Sequence, residues 1–550
     1  MFVASRGSNN KATTVGFEEN NHDPNQWQCP LKWAAIALKD AFREPAKCKV
    51  SNRYARILLA MTESSESDPR DQILAARARA LNGCVSARQT IGLLADEGSF
   101  TEYGLLAGRT TSVEDDGPSD GLVSGICEIS GHPVVVAAHD RSVEQGTHSD
   151  RNMRKLAKLT TIAITNRWPL ILFIEGDGSR VGDPRPVPPI VNYTRARWDV
   201  LEGLAELSGW APTIAVVTGP TRDSHSALAF LCDLVIATSG ADFGSKMDST
   251  GTIPADTAAS QGDVDVVVED IPQAVTATQQ FLEYWYDEQS EFAPAESAPN
   301  IAKIVPDNRR RAYDMRKVIE AFADQGSVFE VGSRWAQSLI TVFARVEGRS
   351  VGIFANQPLS PRAGAIDSAA ADKASRFVEW CDAYALPLVS FVDNPGYMVG
   401  PDAEQEGIAR HHARPLSAIH HRSVTLYTVQ IRKAYGLGPF AMSGYGASRK
   451  MPELRVAWPT VESGGMSLEG AAYLVKRKEI RDAADAATAR TIRDDYAEEM
   501  RDVASGVRAG RTFSFDDVIL PEETRPLIAS MLRRSNRTLP PKKLHHIDTR

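Results

Sequence analysis

LADEGSFTEYG, residues Leu94–Gly104, returns as FADQGSVFEVG at Phe322–Gly332. Working outward, EISGHPVVVAAHD (Glu128–Asp140) is echoed by RVEGRSVGIFANQ (Arg345–Gln357). PLILFIEGDGSRVGDP (Pro169–Pro184) is echoed by PLVSFVDNPGYMVGP (Pro387–Pro401). Three matches in one order, each offset by about 220 residues, are the mark of a duplicated domain. Each copy places a glycine turn directly after an apolar strand. Glycine permits backbone that other residues resist, so free N–H groups in such a turn can face a developing negative charge. Two turns of this kind suit a reaction between two partners.

The bulk properties agree with two domains. A chain of 550 residues exceeds one ordinary core. A net charge of −8 argues against nucleic-acid binding by bulk charge. The six cysteines (Cys29, Cys48, Cys84, Cys127, Cys232, Cys381) are scattered with no C-x-x-C pair, which reads as free thiols in a reducing compartment. No apolar run approaches the roughly 20 residues of a membrane span, and no signal-peptide core opens the sequence. A cytoplasmic protein with no membrane role is expected.

Four segments are expected: an extension over 1–70, a first domain over 71–298, a second over 299–540, and a tail over 541–550. In the first domain the strands read as Pro133–Ala138, Leu170–Ile174, Ile214–Val217 and Asp233–Ala237, with helices near Asn152–Ile164, Asp199–Leu207 and Ile271–Tyr286. Ser249–Gly262, rich in small polar residues, reads as a flexible loop. In the second domain the strands read as Ile340–Val346, Val351–Ala355, Leu388–Val392 and Thr425–Ile431. The periodicity of Ala370–Tyr384 predicts a helix with Phe377, Trp380 and Cys381 on one face. Alternating strand and helix make the fold class α/β. A further helix, Leu31–Phe42, is expected in the extension.

Two strand-end turns carry the chemistry of the second repeat. Asp393-Asn394-Pro395-Gly396-Tyr397 closes one strand, and Arg432-Lys433-Ala434-Tyr435-Gly436-Leu437-Gly438 closes the next. Their amides can converge on an oxygen that becomes an enolate. Together with DMRKVIEAFADQGSVFEVG, AGAIDSAAADKASRFVEWCDAYALPLVSFVDNPGYMVG, RKAYGLGPFAM and AWPTVESGGM, they resemble the carboxyltransferase (β) component of biotin-dependent acyl-CoA carboxylases. The resemblance spans about residues 75–480. Gly436-Leu437-Gly438 is similar to the fused, multi-domain branch of that family.

The resemblance implies two tandem crotonase-like (ClpP/crotonase superfamily) β-β-α superhelix domains. It implies carboxyl transfer from carboxybiotin to the α carbon of an acyl-CoA through an enolate held by backbone oxyanion holes. No metal and no protein nucleophile take part. The implied partners are a biotin carboxylase and a biotin carboxyl carrier subunit, because the chain carries no Met-Lys-Met biotinylation motif and no glycine-rich ATP site. A homo-oligomer, a hexamer, is implied, with each site between the first half of one subunit and the second half of another.

Carried over residue by residue, the first-half hole falls at Gly178 and Ser179 and the second-half hole at Leu437 and Gly438, each glycine opening a helix. Substrate contacts fall at Asp177, Arg180, Gly219, Pro220, Asn394, Pro395, Gly396, Tyr397, Tyr435, Gly436 and Phe440. Asp177 and Ser179 depart from a glycine-rich pattern, and Asp177 opposes an enolate unless it points away or pairs with Arg180. After Thr218-Gly219-Pro220 the expected small residues are replaced by Thr221-Arg222-Asp223-Ser224-His225-Ser226. Ser224 and His225 beside Asp223 hint at a hydrolase constellation but read as loop, since triad members converge in space rather than in sequence. His411, His412, His420 and His421 read as helix surface. The rebuilt first half keeps open an acyl-CoA decarboxylase, a crotonase-type hydrolase and a non-catalytic partner subunit.

Overall fold

The computed structural model describes residues 68–108, 118–180, 195–245, 251–286, 301–309, 311–444, 453–501, 503–535 and 537–549. The chain divides into two compact units, Met1–Ile73 and Leu74–Arg550, and the fold below is that of the second. The expected helix Leu31–Phe42 lies outside the described residues.

Each repeat builds one sheet. The first holds β1 (Thr101–Glu102), β2 (Leu122–Ile129), β3 (His132–His139), β4 (Leu170–Gly176), β5 (Thr213–Arg222), β6 (Leu234–Thr238), β7 (Asp242–Gly244), β8 (Ile253–Pro254) and β9 (Val266–Val268). Its order is β1-β2-β3-β4-β5-β6-β9, with β7 between the end of β5 and β8. The second holds β10 (Phe329–Val331), β11 (Leu339–Val346), β12 (Arg349–Asn356), β13 (Leu388–Asn394), β14 (Leu426–Tyr435), β15 (Leu454–Ala457), β16 (Glu462–Gly464) and β17 (Asp517–Val518). Its order, β10-β11-β12-β13-β14-β15-β17 with β16 beside β14, repeats the first. A hairpin enters each sheet antiparallel, and the following strands run parallel through helical crossovers.

The repeated sequence motifs are the joints of this plan. Asp96 accepts the Ser130 and Gly131 amides (3.0 and 2.8 Å) in the β2–β3 turn. Asp324 accepts the Glu347 and Gly348 amides (3.0 and 2.7 Å) in the β11–β12 turn. Both turns place two residues at positive φ, the geometry that matches the twist of a two-residue hairpin. Gly104 and Gly332 end the motif at positive φ, 72° and 63°, where a side chain is strained and a Cβ would press on Lys155 or Lys373. The Lys373 ammonium is buried and donates to the Gly332, Trp335 and Leu339 carbonyls at 2.8–3.0 Å.

The two sheets share a core. Helix Ser368–Ala383 buries Phe377, Trp380 and Cys381 as its periodicity predicts. Helix Ile271–Trp285 meets it, with Phe281 and Trp380 centroids 5.6 Å apart and Trp285 and Tyr384 5.0 Å apart. Arg376, on another face, bonds Asp265 at 3.0 Å and the Asp233 carbonyl at 2.6 Å in the first half. Residues 541–549 pack rather than trail: Ile547 is buried, and Lys543 Nζ donates to the Ala205 and Glu206 carbonyls. The loop expected over Ser249–Gly262 contains β8 and the helix Ala255–Gln261, which buries Ala255, Ala258 and Ala259. Its first two residues lie outside the described residues.

Candidate active site

Hydrogen-bond register shows which residues are equivalent between the halves. β4 meets β5 with Ile174 opposite Val217 and, after a bulge, Gly176 opposite Thr221. β13 meets β14 with Val392 opposite Gln430 and, after the same bulge, Asn394 opposite Ala434. The ends agree: Arg222 faces Gly244, and Tyr435 faces Gly464. The next residue in each half has positive φ, 47° at Asp223 and 63° at Gly436. Short helices follow, Ser224–Phe230 and Gly438–Ser443. Counting along the chain, Ser224 corresponds to Leu437 and His225 to Gly438. Gly178 corresponds instead to Gly396, since the His148 and Ile366 amides donate to their carbonyls (2.8 and 3.1 Å). The expectation that Gly178 opens a helix is therefore corrected: it lies two residues past β4, before the bridge of Ser179 to His148.

The second-half turn is open. Among the described residues, neither the Leu437 nor the Gly438 amide donates to an acceptor. Leu437 is exposed and Gly438 buried. A Cβ on Gly438 would lie 2.7 Å from the Asn394 carboxamide. That carboxamide accepts the Gly396 N–H through Oδ1 at 2.6 Å, and its buried Nδ2 has no partner among the described residues. An unpaired buried donor is costly, and this one sits beside two free amides. The surroundings are rigid. Asp393 and Arg432 form a buried pair at 2.9 Å. Tyr435 donates to Glu462 at 2.6 Å, and burial pushes its hydroxyl up to about 12. Pro395 and Gly396 turn the chain so that Tyr397 stacks on His412, with centroids 3.5 Å apart. Phe440 is half-buried on the short helix, two residues past Gly438.

The first-half turn is lined by side chains. His225 is fully buried, and its Nδ1 accepts the Gly178 N–H at 3.2 Å. A Cβ on Gly176 would lie 2.6 Å from His225 Nε2, and one on Gly178 2.9 Å from Asp223. These glycines make room for the rebuilt loop rather than for a thioester. The Asp177 amide donates to Gln145 and the Arg180 amide to His148, so of the expected hole only Ser179 keeps an unengaged N–H among the described residues. Asp177 pairs with Arg141 at 3.3 Å. Arg180 pairs instead with buried Asp120 and bonds Thr147. Gly219 and Pro220 lie in β5, where a Cβ on Gly219 would meet Glu175. Burial raises the Glu175 carboxyl above its usual range.

Sequence reading missed His139 and His148. His139 ends β3, and His148 precedes the capping box of helix Asp150–Asn166. They join His225 in a buried cluster whose ring nitrogens lie within 4.8 Å of one another. Carbonyl oxygens only accept, which fixes the tautomers. His139 Nδ1–H donates to the Phe173 carbonyl at 3.0 Å, so its Nε2 is bare. His148 Nε2–H donates to that nitrogen at 3.2 Å, leaving Nδ1 bare. Ser224 Oγ donates to His148 Nδ1 at 2.9 Å. His225 Nε2–H donates to the Gly146 carbonyl at 3.0 Å. Burial holds all three rings neutral, taking His139 down to about 4. The set does not fit a shared metal. The His148 and His225 rings stack at 3.6 Å and 17°, and a metal must lie in the plane of every imidazole that binds it. The reading of Ser224 and His225 as loop is corrected, because the turn brings Ser224 onto His148. The helix-surface histidines have ordinary partners: His411 bonds Asp372 at 2.8 Å, and His420 packs on His421.

Two sheets of one topology, each ending its central strands in such a turn, define a tandem crotonase-like architecture. The chain belongs to the carboxyl transferase family, whose domain matches residues 80–547. It is 33% identical over 491 residues to the methylmalonyl-CoA carboxyltransferase 12S subunit of Propionibacterium freudenreichii subsp. shermanii, covering 84% of this chain and 91% of that protein. A crystal structure of transcarboxylase 12S, a hexamer with methylmalonyl-coenzyme A and methylmalonic acid bound, superposes with a TM-score of 0.75 at 31% identity over 88% of this chain and 98% of that one. A single-chain, multi-domain long-chain acyl-CoA carboxylase superposes with a TM-score of 0.76 at 33% identity over 85% of this chain, which spans 49% of that larger enzyme. Among the described residues no helix is long and apolar enough to cross a membrane.

Proposed function

We propose that this chain is the carboxyltransferase component of a biotin-dependent acyl-CoA carboxylase, and that its second half receives the biotin. The observation that carries the reading is the second-half turn: two amides and, beside them, one buried carboxamide donor, none with an acceptor among the described residues. Three donors fit the ureido oxygen of biotin. Carboxybiotin, when delivered by a carrier, supplies the carboxyl group. The chain's part is positioning and electrostatics. Leu437 and Gly438 donate where negative charge builds, Asn394 Nδ2 adds a third contact, and the Asp393–Arg432 pair keeps the turn from shifting. In the first half the equivalent amides are those of Ser224 and His225, which likewise donate to no acceptor among the described residues. They mark where an acyl-CoA carbonyl lies, bordered by side chains rather than glycines. This favours an acyl-CoA class narrower than that of glycine-lined relatives, in a hexamer whose sites form between subunits.

The test supplies a biotin carboxylase, a biotinylated carrier and a panel of acyl-CoAs. The wild-type chain carboxylates at least one of them. Leu437→Pro removes one amide at an exposed residue whose φ of −83° suits proline. The loss of one such donor costs about 3 kcal/mol, so transfer falls about 100-fold or more. A folded Leu437→Pro chain that transfers at the parental rate overturns the assignment.

A further inference from the structure

We propose that Ser224 is a nucleophile activated by His148, and that the first-half turn cleaves acyl-CoA thioesters. The carboxyltransferase reading contributes only the place where the thioester lies; the reaction itself needs no biotin, carrier or ATP.

The arrangement is a directed relay. Starting at the Phe173 carbonyl, each partner fixes the next: His139 is held as donor at Nδ1, His148 as donor at Nε2, and His148 Nδ1 is left as a base facing the Ser224 hydroxyl. The parts come from separate elements: the end of β3, the loop before helix Asp150–Asn166, and the first residue after the β5 turn. His139 and His148 are 4% and 1% exposed, while Ser224 in front of them is partly exposed. The base is thus sealed from water, and its bare nitrogen is covered by one hydroxyl that substrate can reach. Backbone strain lies next to it. Asp223 has φ 47° and ψ −110°, a conformation that a non-glycine residue adopts only when its surroundings enforce it. Here the Asp223 amide is held by Gly244, and its carboxylate accepts Ser245 Oγ at 2.9 Å. That strain aims Ser224 at His148.

The third member of the relay selects the substrate class. A carboxylate behind the base would stabilise the imidazolium that forms during attack. A neutral imidazole does so weakly, and the buried cluster disfavours charge. Such a base is weak, so it serves best on an activated carbonyl whose leaving group departs without protonation. A thioester meets both conditions, since a thiolate departs without help. Ser224 Oγ bonds the acyl carbon as its proton moves to His148 Nδ1. The C–S bond breaks, and the thiolate leaves and recovers that proton. Water then attacks the acyl-serine, giving its proton to His148. The C–Oγ bond breaks, and Ser224 regains its hydrogen. The products are a free thiol and a carboxylic acid, with nothing oxidised or reduced.

The experiment incubates the full-length chain with a serine-directed fluorophosphonate, and separately with short- and long-chain acyl-CoAs while thiol release is followed. Biotin, carrier and ATP are left out, so failed carboxyl transfer and failed thioester cleavage are read independently. The expected result is a single adduct on the peptide containing Ser224, with thiol release that falls about 100-fold or more in Ser224→Ala and in His148→Asn. Ser224 is partly exposed and near a helix end, so Ser224→Ala keeps the wild-type circular dichroism. A wild-type chain that takes no adduct at Ser224 and releases no more thiol than Ser224→Ala overturns the proposal.

Discussion

Single side chains distinguish the two turns. Gly438 has no side chain, so the Asn394 carboxamide packs against it, beside two amides that donate to no acceptor among the described residues. The equivalent His225 turns its ring inward and takes the Gly178 N–H. Asp177 is offset by Arg141, which removes the expected conflict with an enolate. Asp177→Asn should therefore change acyl-CoA turnover by less than about threefold, a surface-scale effect; a tenfold rise would restore Asp177 as an inhibitory charge. The histidines also set acid stability. The unfolded chain protonates them near 6.5, while His139 stays neutral until about 4. Between those values the unfolded state binds more protons, so stability is full above pH 6.5 and falls as pH drops toward 4. For His139 this is worth about 3 kcal/mol. Buried Asp233, raised from 3.8 to about 6, works the other way, gaining stability as pH falls through 6. The three buried histidines outweigh the groups that gain stability as pH falls, Asp233, Glu175, Glu379 and His545. The urea midpoint should fall between pH 7 and pH 5, and a flat or rising midpoint would contradict the neutral cluster.

At the scale of elements, the hairpin that opens each sheet depends on one aspartate. Asp324 is buried and holds two amides and the Arg525 guanidinium (2.6 Å). Asp96 holds two amides at an exposed turn. Asp324→Ala removes the buried carboxylate from its ion pair with the largely covered Arg525 and should cost about 3–5 kcal/mol, whereas Asp96→Ala should cost about 1–2 kcal/mol. Thermal unfolding of the two variants measures the difference, and equal shifts would remove the stapling role of Asp324. These joints were legible in the sequence because both copies kept them, and the parallel strands were legible as apolar runs. The equivalence of Ser224–His225 with Leu437–Gly438 was not. The first half has no glycine pair after β5, and Gly176 and Gly178 offered a nearer match by composition. Only the shared bulge in β4–β5 and β13–β14 fixes the register. His139 and His148 were equally hidden. Nothing in their spacing says that a strand end backs a histidine nine residues later, or that this histidine meets Ser224 from another strand end.

For the whole molecule, the question is which turns face each other. If each site joins the first half of one subunit to the second half of another, two different defects on separate chains can compensate. Leu437→Pro disables the second-half turn. Ser224→Pro disables the first-half turn by removing its amide and hydroxyl at a first helical position, which tolerates proline. In a two-fold pair of one chain of each kind, one site collects both defects and the other collects none. Random mixing makes half the pairs mixed, so about one quarter of all sites should be intact. Co-expressed variants, purified through a different tag on each, should therefore recover carboxyl transfer that neither shows alone, and light scattering should show a stable oligomer. Sites built within one chain would recover nothing, whatever the oligomeric state. Thiol release in the same mixture separates the two activities. It depends on the first-half turn alone, so it should follow the fraction of chains that keep Ser224, including those with a broken second-half turn.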